Sequence, residues 1–409
     1  MGKSVLLTRR AFKGLPQSCI VHLAMRVAFV GDMLNHGYYL TTVNTGILLA
    51  LSECPQVDEI DAYCPRKNPE AEPFNPPSKL NIHESYNYGD PHLPLKLIRK
   101  LAGKNYDTII FSLLPTSFGT SSTANFAGLL TPLLLRHLAG QNTRIVYHNS
   151  AYTNNYRKLG YNSAYDTIRA NALRAIERTI FKTTPTYVLL RQYKEKITSQ
   201  IGPNRVEYLN ARGLEALPTI YLNNLQNQEE ITIRREGPPT ILLHGYWGPQ
   251  KDLKLALQTL TNLKNKGYKF NTVITGGINK HFPEYTKQFQ QLLKQYGYEK
   301  SYKGRIQERD IFTLYTQADL LLLPYNTPGG HSGVLEQAIF FETPTIAIDF
   351  PEYREQAEDF DHIKLCNRDQ LFVNISNALE RMENARTVRI KSKLSYTMKA
   401  AEQLLSKEL

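Results

Sequence analysis

Three short stretches in the second half of this 409-residue chain combine glycine with groups able to meet an anion. In "HGYWGPQKD" (244–252), Lys251 places a mobile ammonium close to a glycine turn, which suits a diphosphate. "TGG" (275–277) is a second such loop, and "PYNTPGGHSGVLEQAIFFETP" (324–344) is the third, running from a polar turn with two adjacent glycines into an apolar helix. The first turn of a helix carries unpaired N–H groups and a partial positive charge, so a glycine-rich approach lets a phosphate come close to the main chain. On local sequence alone, a plain turn at Gly329 and Gly330 with Ser332 as helix cap fits equally well. A lysine and a helix N-terminus meeting in one cleft would neutralise a phosphate leaving group as its charge grows.

Such a meeting requires each loop to follow the carboxyl end of a strand in one sheet. The pattern supplies this. "TILLHGYWG" (240–248), "FNTVITGG" (270–277), "KSYKGRI" (300–306), "ADLLLLPY" (318–325) and "PTIAIDFP" (344–351) read as strands, alternating with helices at 252–266, 282–297, 308–317 and the third motif. The first half repeats the alternation. "RVAFVG" (26–31), "VDEIDAYCP" (57–65), "LNIHES" (80–85), "YDTIIFSLLP" (106–115), "TRIVYHNS" (143–150) and "PTYVLLR" (185–191) are strands among helices near 41–52, 93–104, 123–138 and 164–182. Alternation of this kind implies α/β architecture with mainly parallel sheets, and ligands beyond the strands' carboxyl ends. The polar, proline-closed stretch at 222–239 reads as a linker between an N-terminal domain (25–221) and a C-terminal domain (240–384), with a terminal helix over 385–409 packing back toward the first domain. Residues 1–24 read as a dispensable extension, because Met25 opens "MRVAFVGD" as a fresh start at a buried strand.

Composition narrows the class. Hydrophobic residues make up 42% and charged residues 21%, as in ordinary globular proteins. Cys19, Cys54, Cys64 and Cys366 show no metal-like or secreted-scaffold spacing, which favours neutral thiols in a reducing compartment. No uninterrupted run of about 18 apolar residues exists, so no membrane span is expected. The net charge of +12 points to an anionic partner, while dispersed basic residues and the lack of a recognised module argue against nucleic acid.

Taken in order, "ILLHGYWGPQKDLKLALQTL", "VITGG", "YKGRIQERDIFTLYTQADLLLLPY" and "GGHSGVLEQAIFFETPTIAID" resemble the successive C-terminal-domain motifs of glycosyltransferase family 4. "RVAFVGD" and "IVYHNS" extend the resemblance into the first half. It implies a GT-B fold, two Rossmann-like domains facing across a cleft, and retaining sugar transfer from a nucleotide-sugar to an acceptor hydroxyl. It also implies residue roles: Lys251 on the donor diphosphate, Gly304, Arg305 and Ile306 at the nucleobase, and Gly329, Gly330, His331, Ser332, Gly333 and Val334 beside the donor sugar and phosphates. His148 would reach the donor sugar across the cleft, with Gly31, Asp32 and Gly37 near the reacting centre and Gly276 in the donor-side loop.

The chain departs from the family pattern in two places. Where an arginine often precedes the lysine, this chain has Tyr246 or, in the spacing of a subgroup, Gly248; Arg305 and Arg309 are the candidate replacements. Counting back from Pro344, the family's second glutamate falls on Gln337, with Glu336 one residue away. Helical spacing puts Val334, Leu335, Ala338 and Phe341 on the apolar face, Gln337 at its flank and Glu336 nearly opposite, which favours Gln337 at the donor ribose. Trp247 is read either as a stacking surface or as a packed loop aromatic. No metal or other cofactor is expected, because no Asp-x-Asp-like cluster adjoins the phosphate loops. The expected partners are a nucleotide-sugar and a glycan or lipid-linked acceptor. The basic amphipathic segment with Lys96, Arg99, Lys100 and Lys104 reads either as an ordinary amphipathic surface helix or as a surface for peripheral contact with an anionic membrane; a cytoplasmic protein is expected, in the second case at the inner membrane face. The competing readings are a non-catalytic sugar- or nucleotide-binding protein and an epimerase or phosphorylase of the same fold.

Overall fold

The computed structural model describes residues 24–36, 40–67, 73–119, 121–153, 163–234, 237–279, 282–327, 330–382 and 385–406. The proposed N-terminal extension lies almost wholly outside them. The first domain comprises β1 (Met25–Val30), α1 (Thr41–Glu53), β2 (Val57–Pro65), β3 (Leu80–Tyr86), α2 (Leu93–Leu101), β4 (Thr108–Leu113), α3 (Ser122–Leu138), β5 (Thr143–Tyr147), α4 (Ala164–Thr183), β6 (Thr186–Val188), α5 (Arg191–Ile201) and β7 (Val206–Tyr208). Its seven strands are parallel and ordered β3-β2-β1-β4-β5-β6-β7.

Alternation along β1 explains the two layers. Val27 and Phe29 face a core shared with α1 and the chain's last helix, while Ala28 and Val30 face a core shared with α2, α3 and α5. Both faces are covered, so the strands read as continuous apolar runs.

The short helix α6 (Leu217–Leu222) leads to β8 (Glu230–Arg234) and the second domain: β9 (Thr240–His244), α7 (Leu253–Asn265), β10 (Asn271–Thr275), α8 (Tyr285–Tyr296), α9 (Glu308–Gln317), β11 (Leu320–Leu323), α10 (Gly333–Phe340), β12 (Thr345–Ile348), α11 (Pro351–Ala357), β13 (Ile363–Cys366) and α12 (Leu371–Glu380). Its five strands are parallel and ordered β10-β9-β11-β12-β13. β14 (Ala385–Arg389) then pairs antiparallel with β8, and α13 (Lys391–Leu405) closes the chain against α1. In each sheet the chain reverses direction of winding beside its first strand, at β1/β4 and β9/β11, which opens a crevice at the strands' carboxyl ends.

The secondary structure differs from the sequence expectation in four places. The stretch read as a linker carries β8, whose Ile231 and Ile233 pack onto the C-terminal core. The helical tail is interrupted by β14, the partner β8 needs. Residues 300–306 form a 3-10 turn at Glu299–Ser301 and meet the sheet only through a bridge between Ile274 and Tyr302. The strand expected over 185–191 stops at Val188, and Arg191 already opens α5.

α13 is held onto the first domain from its far end. Arg144 donates to the carbonyl of Leu404 at 2.6 Å and to that of Ser406, and Tyr187 donates to the carbonyl of Gln403 at 3.0 Å. These bonds satisfy acceptors that a helix C-terminus otherwise leaves to water. Among the described residues no helix is long and apolar enough to cross a membrane.

Candidate donor-binding cleft

The β9/β11 crevice is built from a glycine turn, a lysine and a helix start. Lys251 follows the turn after β9 and bridges to Tyr325 beyond β11. Its ammonium lies 3.3 Å from the His244 carbonyl, 4.6 Å from the centre of the Tyr325 ring and 5.5 Å from that of Trp247. Lys251 forms no ion pair with a carboxylate among the described residues. Burial alone pushes its pKa down to about 7. A Cβ at Gly245 would fall 2.0 Å from the Lys251 ammonium and 3.1 Å from Val334, so the lysine and the first turn of α10 converge on this glycine.

Two further glycines are dictated by close approach. Gly276 has φ of +107°, and a Cβ there would lie 1.9 Å from the Gly245 carbonyl oxygen. Its N–H donates to Gly304 at 2.7 Å, which draws "TGG" and the Gly304-Arg305-Ile306 segment together. Gly330, at φ +108°, meets the N-terminal domain, since a Cβ there would lie 2.3 Å from Asn149 Oδ1. Among the described residues Asn149 Oδ1 has no hydrogen-bond partner.

Ser332 caps α10 by accepting from the Leu335 N–H at 3.3 Å. The helix is not one-sided as expected. Glu336 is 3% exposed and Gln337 6%, because α11 covers the side that helical spacing left polar. Glu336 Oε1 lies 3.2 Å from His331 Nε2 and accepts from Gln356 Nε2 of α11 at 3.2 Å, while its Oε2 has no partner among the described residues. Gln337 donates to the Glu215 backbone carbonyl at 3.5 Å. Glu336 is thus not turned to solvent, and it is the carboxylate that meets the loop imidazole.

The facing wall comes from the β1/β4 crevice and the end of β5. His148 Nε2 lies 2.8 Å from Ser112 Oγ, and Ser112 donates to Asn44 Oδ1 at 2.5 Å. With the single hydroxyl proton committed to Asn44, His148 must donate from Nε2, which leaves Nδ1 as an acceptor. Burial, reinforced by the charge of His331, lowers the His148 pKa to about 3, so its ring is neutral. A buried carboxylate fixes this wall. Glu177 of α4, fully buried, accepts from Tyr147 Oη at 2.8 Å, Ser150 Oγ at 2.7 Å and the Ala151 N–H at 2.9 Å, wrapping residues 147–151 around one side chain. Asp32, after β1, accepts from Tyr88 Oη at 2.6 Å, and Gly31 packs against Asn44 and Ser112.

The other expected residues are distributed less tightly. Trp247 is packed, 1% exposed, with its Nε1 donating to the Thr275 carbonyl at 2.9 Å, so it offers no stacking face. Tyr246 is 44% exposed at the cleft rim. Gly248 abuts the Gln250 side chain, Ile306 packs on the core, and Arg305 and Arg309 are exposed. Gly37 and Gly329 lie outside the described residues. Sequence reading missed Ser112, Asn44, Glu177, Gln356 and Glu215. Each is a single polar residue within an apolar or unremarkable run, made meaningful only by what the fold brings against it. Glu215, half-buried before α6, has its carboxyl pKa raised to about 7 by burial.

Two parallel-sheet domains with switch-point crevices facing each other define the GT-B class. Residues 226–393, the C-terminal domain, match the family described as glycosyl transferases group 1. Among solved structures, sucrose-phosphate synthase from Thermosynechococcus elongatus superposes with a TM-score of 0.64 at 12% identity, covering 94% of this chain and 96% of that one. HepE of Anabaena, in complex with UDP and glucose, gives 0.56 at 12% identity over 94% and 95% of the two chains. WaaG, a glycosyltransferase involved in lipopolysaccharide biosynthesis, gives 0.56 at 14% identity over 94% and 96%. No curated protein matches the chain in sequence.

Proposed function

We propose that this protein is a retaining glycosyltransferase that moves a sugar from a nucleotide-sugar donor to an acceptor hydroxyl of a glycan or lipid-linked molecule. The observation that carries the reading is Lys251: a buried ammonium without a carboxylate partner among the described residues, set between a glycine turn and the first turn of a helix. A cation held at that desolvation cost calls for an anion, and a diphosphate fits both the ammonium and the helix N–H groups. The N-terminal domain supplies His148, Asn149 and Asp32 from the other wall and would present the acceptor. Among the described residues no carboxylate pairs with Lys251, and the route proposed for retention is front-face attack. In that step the C–O bond to phosphate breaks, its electron pair goes to the phosphate oxygen, and that oxygen takes the acceptor's proton as the new glycosidic bond forms. The reaction as proposed uses no metal, the positive field coming from Lys251 and α10.

UDP in the HepE complex makes UDP-sugars the first donors to try. Titrating UDP, GDP and ADP, then following nucleotide release from the sugars of whichever nucleotide binds, tests the proposal. Lys251→Ala should weaken diphosphate binding about 10- to 100-fold. Unchanged affinity would remove Lys251 from the site, and binding without turnover for every donor would leave a non-catalytic binding protein. The proposal extends to peripheral contact of α2 with an anionic membrane. Leu95 is 56% exposed and Arg99 is exposed, but Lys96 pairs with Asp90 at 2.5 Å and Lys104 donates to Tyr63 Oη at 2.9 Å.

A further inference from the structure

Departure of a nucleoside diphosphate places negative charge on a phosphate oxygen, and a site that speeds it needs positive groups already fixed in place. Lys251 is one, but burial leaves it only partly charged near neutral pH before ligand arrives. Arg305 and Arg309 are exposed. A second buried group able to carry positive charge stands at the head of α10.

We propose that His331, clamped by Glu336 at the head of α10, is a fixed imidazolium that stabilises the departing diphosphate. This rests on the nucleotide-sugar reading above. The His331 side chain is 6% exposed, and its Nε2 meets Glu336 Oε1 at 3.2 Å. Gln356 holds the pair in register: its Nε2 donates to the same Glu336 oxygen at 3.2 Å and to the Ser332 carbonyl at 3.3 Å, and its Oε1 accepts from the Ser332 N–H at 3.0 Å. With Nε2 committed to Glu336, Nδ1 is the ring position left to address a ligand.

The charged groups facing this imidazole come from several elements. Glu336 lies on its own helix, Glu355 on α11, Glu215 before α6, and His148 after β5 on the opposite wall. Burial works against charge on His331, but the bond and charge of Glu336, with Glu215 and Glu355, outweigh it and raise its pKa. His148 is pushed the other way. The two imidazoles are thus pushed in opposite directions, the arrangement that separates a charge-stabilising or acidic group from a neutral acceptor. Because the His331 pKa is raised, its charge is present below that pKa and lost as pH rises through it.

Proton NMR of the full-length chain, with the His331 resonance identified by its loss in His331→Gln, tests the clamp directly. The ring should titrate above the ordinary histidine value of about 6.5, and Glu336→Gln should bring it down. With a donor that binds, His331→Gln should lower turnover about 100-fold while changing nucleoside diphosphate affinity far less, and His331→Lys should restore part of the rate. The alkaline limb of the turnover profile should move to lower pH in Glu336→Gln, which separates it from any limb due to Lys251. A ring titrating at or below the ordinary value, or an alkaline limb indifferent to Glu336→Gln, overturns the proposal while leaving sugar transfer standing. Failure of every nucleotide-sugar to bind the wild-type chain overturns the functional reading, and the proposal with it.

Discussion

Lys251 concentrates the physical tension of the cleft in one side chain. An ammonium normally titrating near 10.5 is buried until its pKa falls to about 7, so between those values the unfolded chain holds a proton that the folded chain lacks. Stability contributed by this residue therefore rises with pH across that window, the sign expected for a depressed amine. An anionic ligand reverses the depression, because it favours the charged form. Binding of a nucleoside diphosphate at about pH 8 should then take up close to one proton, and affinity should fall as pH rises further. Calorimetry in two buffers of different ionisation heat measures this, and zero uptake would mean that Lys251 does not meet the diphosphate. Glu177 shows the opposite sign: burial raises its carboxyl pKa to about 7 despite three kinds of donor around it. Its ionisation costs stability as pH rises through the window, while its position organises the wall that bears His148 and Asn149.

At the scale of elements, the loop from Tyr147 to Ala151 is tied to α4, because the Tyr147 and Ser150 hydroxyls and the Ala151 N–H all donate to Glu177. Replacing Glu177 by Ala would strand the Ser150 hydroxyl and the Ala151 N–H in a buried site, at a cost of about 2–4 kcal/mol. Thermal unfolding should register that loss, and amide exchange should show residues 147–151 opening ahead of the β-sheet. Equal protection in variant and wild type would show that the loop is held by something else. The start of α5 repeats the logic across the domain boundary. Glu355 of α11 accepts from the Arg191 and Gln192 N–H groups, acting as an N-terminal cap supplied by the other domain.

At the scale of the whole molecule, that cap belongs to a belt that ties the cleft's two walls. Arg191 pairs with Glu358, Arg212 meets Asp359 at 2.7 Å, and Thr42 of α1 donates to Glu308 of α9 at 3.3 Å. Exposed pairs of this kind are individually weak and are screened by salt. Glu355→Ala, which removes both the cap and an ion pair, should cost about 1–2 kcal/mol and let the domains separate. Solution scattering should report a larger radius of gyration for the variant, reversed by saturating nucleoside diphosphate; an unchanged profile would show that the walls are held mainly by the β8–β14 ribbon and α13. Those two devices are the covalent crossings between domains, and Arg144 gripping the last turn of α13 makes the tail part of the first domain's core.

The sequence by itself determined the alternation of strands and helices, the division into two α/β halves and the glycine loops at the strands' carboxyl ends. These are properties of local periodicity, glycine placement and the short reach of a helix start, all written in neighbouring residues. β8 escaped because its alternation in "EITIR" has meaning only beside β14, about 150 residues later. Helical spacing set Glu336 opposite the apolar face but could not show the helix, α11, that comes to cover that side. Tertiary structure alone decided which walls meet: Ser112 and Asn44 set the tautomer of His148, Gln356 locks Glu336 onto His331, and Glu177 gathers a loop from another element. Hydrogen bonds between residues far apart in sequence leave no local signature, and the third motif, a phosphate cradle in outline, became a helix head with a buried imidazole clamped to its own first turn.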